Sequence, residues 1–139
     1  MKFSAVAVFG FIPTIFAASL PNDLEKRAGG AYRSCEGPSF VQSGNAIIQQ
    51  MTCGDGRGGK KISWINLSEC IANRGGELVW QKNGNFGSTC YLDDGTNTGP
   101  RWNTDLYIWC PNGKGQVVSA AINLDERLVN RNGRLFCEV

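Results

Sequence analysis

Apolar and polar positions alternate in short runs along the chain, and the runs are bounded by glycine and asparagine. In "DLYIWC", Leu106 and Ile108 fall on one side and Tyr107 and Trp109 on the other, the period of a β-strand. "NAIIQQMTC" and "GQVVSAAINL" are further apolar runs with β-branched residues. Gly75-Gly76 and Asn132-Gly133 sit between short apolar segments, and Asn-Gly signals a hairpin because both central residues accept positive φ. "NLSEC" and "NLDER" suit a single helical turn with a polar cap before the chain re-enters a strand. No segment has a long helical period. The pattern predicts a mostly β fold that spends most of its 18 glycines on turns.

The same pattern occurs twice. "INLSECIANRGGELVW" (Ile65–Trp80) and "INLDERLVNRNGRLFC" (Ile122–Cys137) are identical at eight of sixteen positions. Cys53 and Cys110 each stand 12 residues before the repeated isoleucine, and Cys35 and Cys90 precede them by 18 and 20 residues. Two copies make a pseudo-symmetric pair, whereas a solenoid needs more units to bury its faces. The duplication also narrows the cysteine pairings. If the repeats share geometry, Cys35–Cys53 and Cys90–Cys110 are equivalent bridges, and Cys70 and Cys137 are left to each other. The last two occupy non-equivalent repeat positions, so symmetry neither supports nor forbids that bond.

The first residues stand apart from this pattern. Lys2 precedes an apolar or small stretch from Phe3 to Ala18, which reads as a secretory signal peptide over residues 1–18, too short for a membrane span. The following residues 19–27 end in the dibasic pair Lys26-Arg27 and read as a propeptide, leaving 28–139 as the mature, extracellular chain. All six cysteines lie in that part, as expected of three disulfides in an oxidising compartment. It carries 11 Lys/Arg and 10 Asp/Glu with no basic run, which argues against nucleic acid, and it has no further apolar stretch for membrane insertion. With no CxxC pair and no histidine in the chain, no metal site and no cofactor are expected. The lack of histidine also removes the Ser/His and Cys/His nucleophile arrangements, and no paired carboxylates assemble an acid/base couple (adjacent Asp93 and Asp94 read as turn residues), so no enzyme is expected.

The tandem "INL…N..G.L" segments, each with its upstream cysteine, resemble the cyanovirin-N homology family over about residues 33–138. The resemblance implies a secreted lectin with two pseudo-symmetric repeats. Each repeat would supply a three-stranded sheet and a hairpin, with the hairpins exchanged between lobes. One lobe would combine about 28–70 with 122–139, and the other would hold about 71–121. Pairing each sheet with the other repeat's hairpin buries two faces that neither could cover alone. The resemblance further implies binding of mannose-rich oligosaccharides or glycoproteins, one shallow metal-free site per lobe, in a monomer or a domain-swapped dimer.

Carried onto this chain, the family's first site falls on Arg33, Ser34, Asp55, Arg57, Asn130 and Asn132, and the second on Asn73, Asn83, Asn85, Ser88, Thr89, Asn112 and Lys114. Amides, hydroxyls and charges suit sugar hydroxyls, which both donate and accept. The sequence departs from the family at Gly30, Gly54, Gly56, Ala72, Gly75, Pro111 and Gly113, which leaves open an alternative: a disulfide-stabilised effector or interaction protein that keeps the fold without sugar binding. Trp64, Trp80 and Trp109 are expected in the core, whereas the loop residue Trp102 is equally suited to stacking on a sugar. "GDGRGG" reads as a turn because it lacks the lysine and helix of a phosphate loop, and "LDDGTNTG" is a poor calcium loop. Asn66-Leu67-Ser68 is an N-glycosylation sequon, and Asn123 at the matching position has none.

Overall fold

The computed structural model describes Gly10 and residues 29–93 and 104–139. Apart from Gly10, the expected signal peptide and propeptide lie outside the described residues, as do Trp102 and most of "LDDGTNTG", Asp94 included.

Strands β1 (Cys35–Ser43), β2 (Ala46–Gly54) and β3 (Lys60–Asn66) form an antiparallel sheet in that order. A 3-10 turn at Leu67–Glu69 leads to the hairpin β4 (Ile71–Arg74) and β5 (Glu77–Trp80). The second repeat pairs β6 (Asp105–Pro111) with β7 (Val117–Asn123), makes a 3-10 turn at Leu124–Glu126, and ends in the hairpin β8 (Leu128–Arg131) and β9 (Arg134–Cys137). Two further 3-10 turns, Ala31–Arg33 and Phe86–Ser88, precede the first cysteine of each repeat. Where a third strand was expected in the second sheet, the described residues contain an isolated bridge: Tyr91 and Trp109 exchange backbone hydrogen bonds of 2.9 and 3.1 Å.

The repeated asparagines start the repeated turns. Asn66 Oδ1 accepts from Ser68 N at 3.1 Å and Asn123 Oδ1 from Asp125 N at 3.0 Å, each satisfying a donor the short turn leaves free. Both hairpins close through two residues at positive φ: Gly75 (62°) and Gly76 (90°) in one, Asn132 (54°) and Gly133 (89°) in the other. That geometry matches the twist of the flanking strands, so the turn chemistry sets the register of four facing pairs in each hairpin.

The hairpins are exchanged. β9 lies against β3, where Leu135 N donates to Ser63 Oγ at 2.9 Å, and Gly133 sits over the Lys61 side chain. β5 lies against β7, with Gly76 beside Val118. Ile47, Met51, Leu67, Ile71, Phe86, Leu106, Ile108, Leu124, Leu128 and Leu135 are buried in one hydrophobic cluster drawn from both repeats. Disulfides join Cys35 to Cys53, Cys90 to Cys110 and Cys70 to Cys137, the last fastening the C-terminal hairpin to the end of the first repeat's turn.

Trp64 is not in the core. It is 67% exposed, as is Ile62, because β3 turns Ser63 inward. The register explains the inversion. On β2, Ile47, Gln49, Met51 and Cys53 face the core, and Met51 stands opposite Ser63, so Ser63 must share their face. Trp80 packs against the core and Trp109 is half-buried, its Nε1 donating to Asp93 Oδ2 at 3.2 Å.

Candidate functional site

Two equivalent hydrogen-bond networks join the exchanged hairpins to the two sheets. In the first, Asn130 Nδ2 donates to Ser34 Oγ and to the Gly54 carbonyl, both at 2.9 Å, and its Oδ1 accepts from Gly133 N at 2.9 Å. In the second, Asn73 Nδ2 donates to Thr89 Oγ1 at 3.4 Å and to the Pro111 carbonyl at 3.0 Å, and its Oδ1 accepts from Gly76 N at 2.8 Å. Ser34 and Thr89 immediately precede the first cysteine of each repeat, and Gly54 and Pro111 immediately follow the second. A hairpin asparagine therefore ties the exchanged hairpin to the disulfide-closed end of the sheet it covers.

The loop beside each network is built alike. Asp55 Oδ1 accepts from Arg57 N at 2.8 Å and Gly59 N at 3.0 Å, and Asp55 N donates to the Gly59 carbonyl. Asn112 Oδ1 accepts from Lys114 N at 2.8 Å and Gln116 N at 3.2 Å, and Asn112 N donates to the Gln116 carbonyl. The Arg57 and Gly59 amides, with a smaller contribution from Lys61, hold the Asp55 carboxyl below the usual aspartate value. The loop read as a turn from "GDGRGG" is thus organised by one carboxylate.

The networks define which groups face a ligand. Both Nδ2 hydrogens of Asn73 and of Asn130 are spent within the protein, so these two asparagines hold the hairpins in place and retain only Oδ1 capacity. Arg33, Ser34, Arg57 and Asn132 are exposed around the first network, and Asn132 Oδ1 lies beside Gly56. Around the second, Lys114 is exposed and the Asn112 backbone abuts Gly75 and Gly76. Ser88 Oγ donates to the Asn85 carbonyl at 2.8 Å and belongs to the turn that carries Thr89.

Asn83 and Asn85 are drawn elsewhere. At φ 56° and 54°, they line a groove of about 440 Å³ with Ser43, Asn45, Ala46, Asn66, Ser68 and Glu69. Their backbone amides donate to the Glu69 and Ser68 carbonyls at 2.7 and 2.6 Å, which fixes the linker between repeats onto the first turn. A second groove of about 370 Å³ runs between β3 and β9 and is lined by Trp64, Asn66, Glu69 and Arg134, among others. Among the described residues, no three His, Cys, Asp or Glu side chains gather as metal ligands, and no helix is long and apolar enough to cross a membrane.

Two β repeats that exchange hairpins, each with its own internal disulfide, define a pseudo-symmetric, tandem-repeat β protein. The CVNH domain model matches residues 32–136, and the chain belongs to that family. Solved structures agree with the fold. The NMR structure of the Gibberella zeae CVNH protein is 25% identical, with a TM-score of 0.60 over 77% of this chain and 95% of that one. The MoCVNH3 variant Mo0v, crystallised in complex with (N-GlcNAc)4, is 18% identical, with a TM-score of 0.62 over 81% and 99%. Microvirin in its complex with mannobiose is 24% identical, with a TM-score of 0.55 over 78% and 99%.

Proposed function

We propose that the protein is a secreted lectin that binds mannose-containing oligosaccharides or glycoproteins at one or two shallow, metal-independent clefts. The observation that carries this reading is the duplicated network of Asn130 with Ser34 and Gly54, and of Asn73 with Thr89 and Pro111. Each network orders a hairpin turn, a pre-cysteine turn and an Asp55- or Asn112-centred loop around one polar surface. Such a surface is preorganised, so a ligand does not bear the cost of ordering it. Arg33, Arg57 and Asn132 in one cleft, and Asn112 and Lys114 in the other, supply donors and acceptors for ring hydroxyls. The family membership and the sugar complexes of MoCVNH3 and microvirin support the ligand class. Secretion follows in this reading from removal of residues 1–18 and 19–27, and it suits a chain with three disulfides.

Each cleft is shallow and binds weakly alone. Two on one rigid body gain about 10²–10⁴-fold on a branched glycan that reaches both. A glycan array probed with the secreted protein tests the reading: binding concentrated on mannosides supports it. A blank array from folded protein leaves the interaction-protein alternative, which the internally spent amides of Asn73 and Asn130 favour.

A further inference from the structure

We infer that Asn66 carries an N-linked glycan whose first N-acetylglucosamine packs on Trp64, covering the apolar strip that β3 leaves in solvent. The inference rests on the secretory route proposed above, because the sugar donor is found there.

Three observations on one strand converge. Asn66-Leu67-Ser68 is an acceptor sequon. Asn66 is used through Oδ1 alone: it accepts from Ser68 N at 3.1 Å, and its Nδ2 makes no hydrogen bond among the described residues. A glycan on Nδ2 therefore leaves the turn cap intact. Trp64, two residues earlier on the same face of β3, is 67% exposed, and both side chains line the 370 Å³ groove against β9. Residues two apart on a strand face are about 7 Å apart, within reach of a sugar ring attached to the asparagine amide. Ile62, the next residue on that face, is also 67% exposed and extends the strip.

The other repeat is an internal control. Asn123 makes the same cap, to Asp125 N at 3.0 Å, but the sequon hydroxyl is replaced by Asp125 and the tryptophan position by Ala121. The repeat that has the acceptor has the aromatic platform, and the repeat that lacks one lacks the other. An exposed indole beside a hydroxyl-rich ring is well matched, since the ring's C–H face buries apolar area while its hydroxyls stay in water.

The attachment chemistry is balanced by a lipid-pyrophosphate oligosaccharide as donor. Asn66 Nδ2 forms a bond to the anomeric carbon, the bond from that carbon to the pyrophosphate oxygen breaks, the lipid pyrophosphate leaves with the electron pair, and one amide proton goes to a base. The fold sets the timing. In the folded chain Ser68 is 5% exposed, its Oγ donating to the Asn45 carbonyl at 2.7 Å and accepting from Gly87 N at 3.2 Å. The sequon hydroxyl is consumed by folding, so transfer must precede it.

The test is to secrete the full chain from a eukaryotic host with and without an inhibitor of lipid-linked oligosaccharide assembly, and to map the medium protein by mass spectrometry. The expected result is a glycan on the peptide containing Asn66. The expected thermal midpoint is several degrees higher for the glycosylated form, and Trp64→Ala should abolish that gap while the glycan stays attached. Without the inhibitor, protein in the medium with Asn66 bare overturns the inference alone, as does a glycosylated form whose midpoint gap is absent or survives Trp64→Ala. A chain retained in the cytosol overturns the secretory reading and this inference together.

Discussion

Asn73 and Asn130 hold the same post in the two halves of the molecule: each donates to a hydroxyl before one cysteine and a carbonyl after the next, and accepts from the glycine that ends its own hairpin turn, Gly76 or Gly133. Truncating either to alanine leaves a carbonyl and an amide without their partner. Each replacement should cost about 1–3 kcal/mol. The two networks share no partner, so the double variant should lose the sum within about 0.5 kcal/mol. Urea melts of the four proteins measure this, and strong coupling would contradict independent clefts.

Asp55 gives a pH signature. Its carboxyl is held low by the Arg57 and Gly59 amides, so the folded value lies below the unfolded value of 3.8. The stabilisation is complete above that value and fades as pH falls through and below it. Asp55→Asn copies Asn112, which makes the same two bonds uncharged. We expect the variant to fold normally at neutral pH and to show a shallower loss of stability below pH 3.8 than the parent.

Tyr32 acts at the other end of the scale. Burial pushes its hydroxyl up from 10.0 to about 12, opposed by the bond from Gln49 and reinforced by Asp125 and Asp105. The folded state favours the neutral phenol, so its contribution is full below pH 10.0 and is lost as pH rises toward about 12. Tyr32→Phe should flatten that alkaline limb. It should also cost about 1–3 kcal/mol at neutral pH, because buried Gln49 loses the hydroxyl its Nε2 meets at 2.6 Å.

Cys70–Cys137 spans 67 residues and anchors the exchanged hairpin. Replacing both with alanine should cost about 2–5 kcal/mol. Amide exchange should accelerate first in β8 and β9, whose contact with β3 through Leu135 and Ser63 is the one the bridge secures. Uniform acceleration across both halves would argue against that role.

Much of this was legible in the chain. The doubled "INL" segment, its upstream cysteines and the Asn132-Gly133 dipeptide encode repeat, bridges and hairpin directly, because cysteine spacing and positive-φ turns are local constraints. Burial on β3 was not. Alternation shows that Ile62 and Trp64 share a face but not which face the register with β2 turns inward, and here Ser63 takes the core side to meet Leu135 N. The clefts were legible in part. Positional likeness points to Asn73 and Asn130 but not to their saturation by Pro111, Gly54 and the pre-cysteine hydroxyls, which are tertiary contacts. It also groups Asn83 and Asn85 with Asn73, whereas their left-handed backbone places them on the groove beside Asn66.

The most direct measurement is a titration of isotopically labelled protein with mannobiose, followed through its backbone amide NMR signals, in the parent and in Asn132→Gly. That variant keeps the turn, since Gly75 occupies the matching position at φ 62°. The parent should show saturable shifts confined to Ser34, residues 55–59 and 130–133, to Thr89, residues 73–76 and 112–116, or to both sets. Asn132→Gly should weaken the first set several-fold and leave the second unchanged. Saturable shifts elsewhere, or none at millimolar sugar with the protein folded, would contradict the assignment of these clefts to carbohydrate.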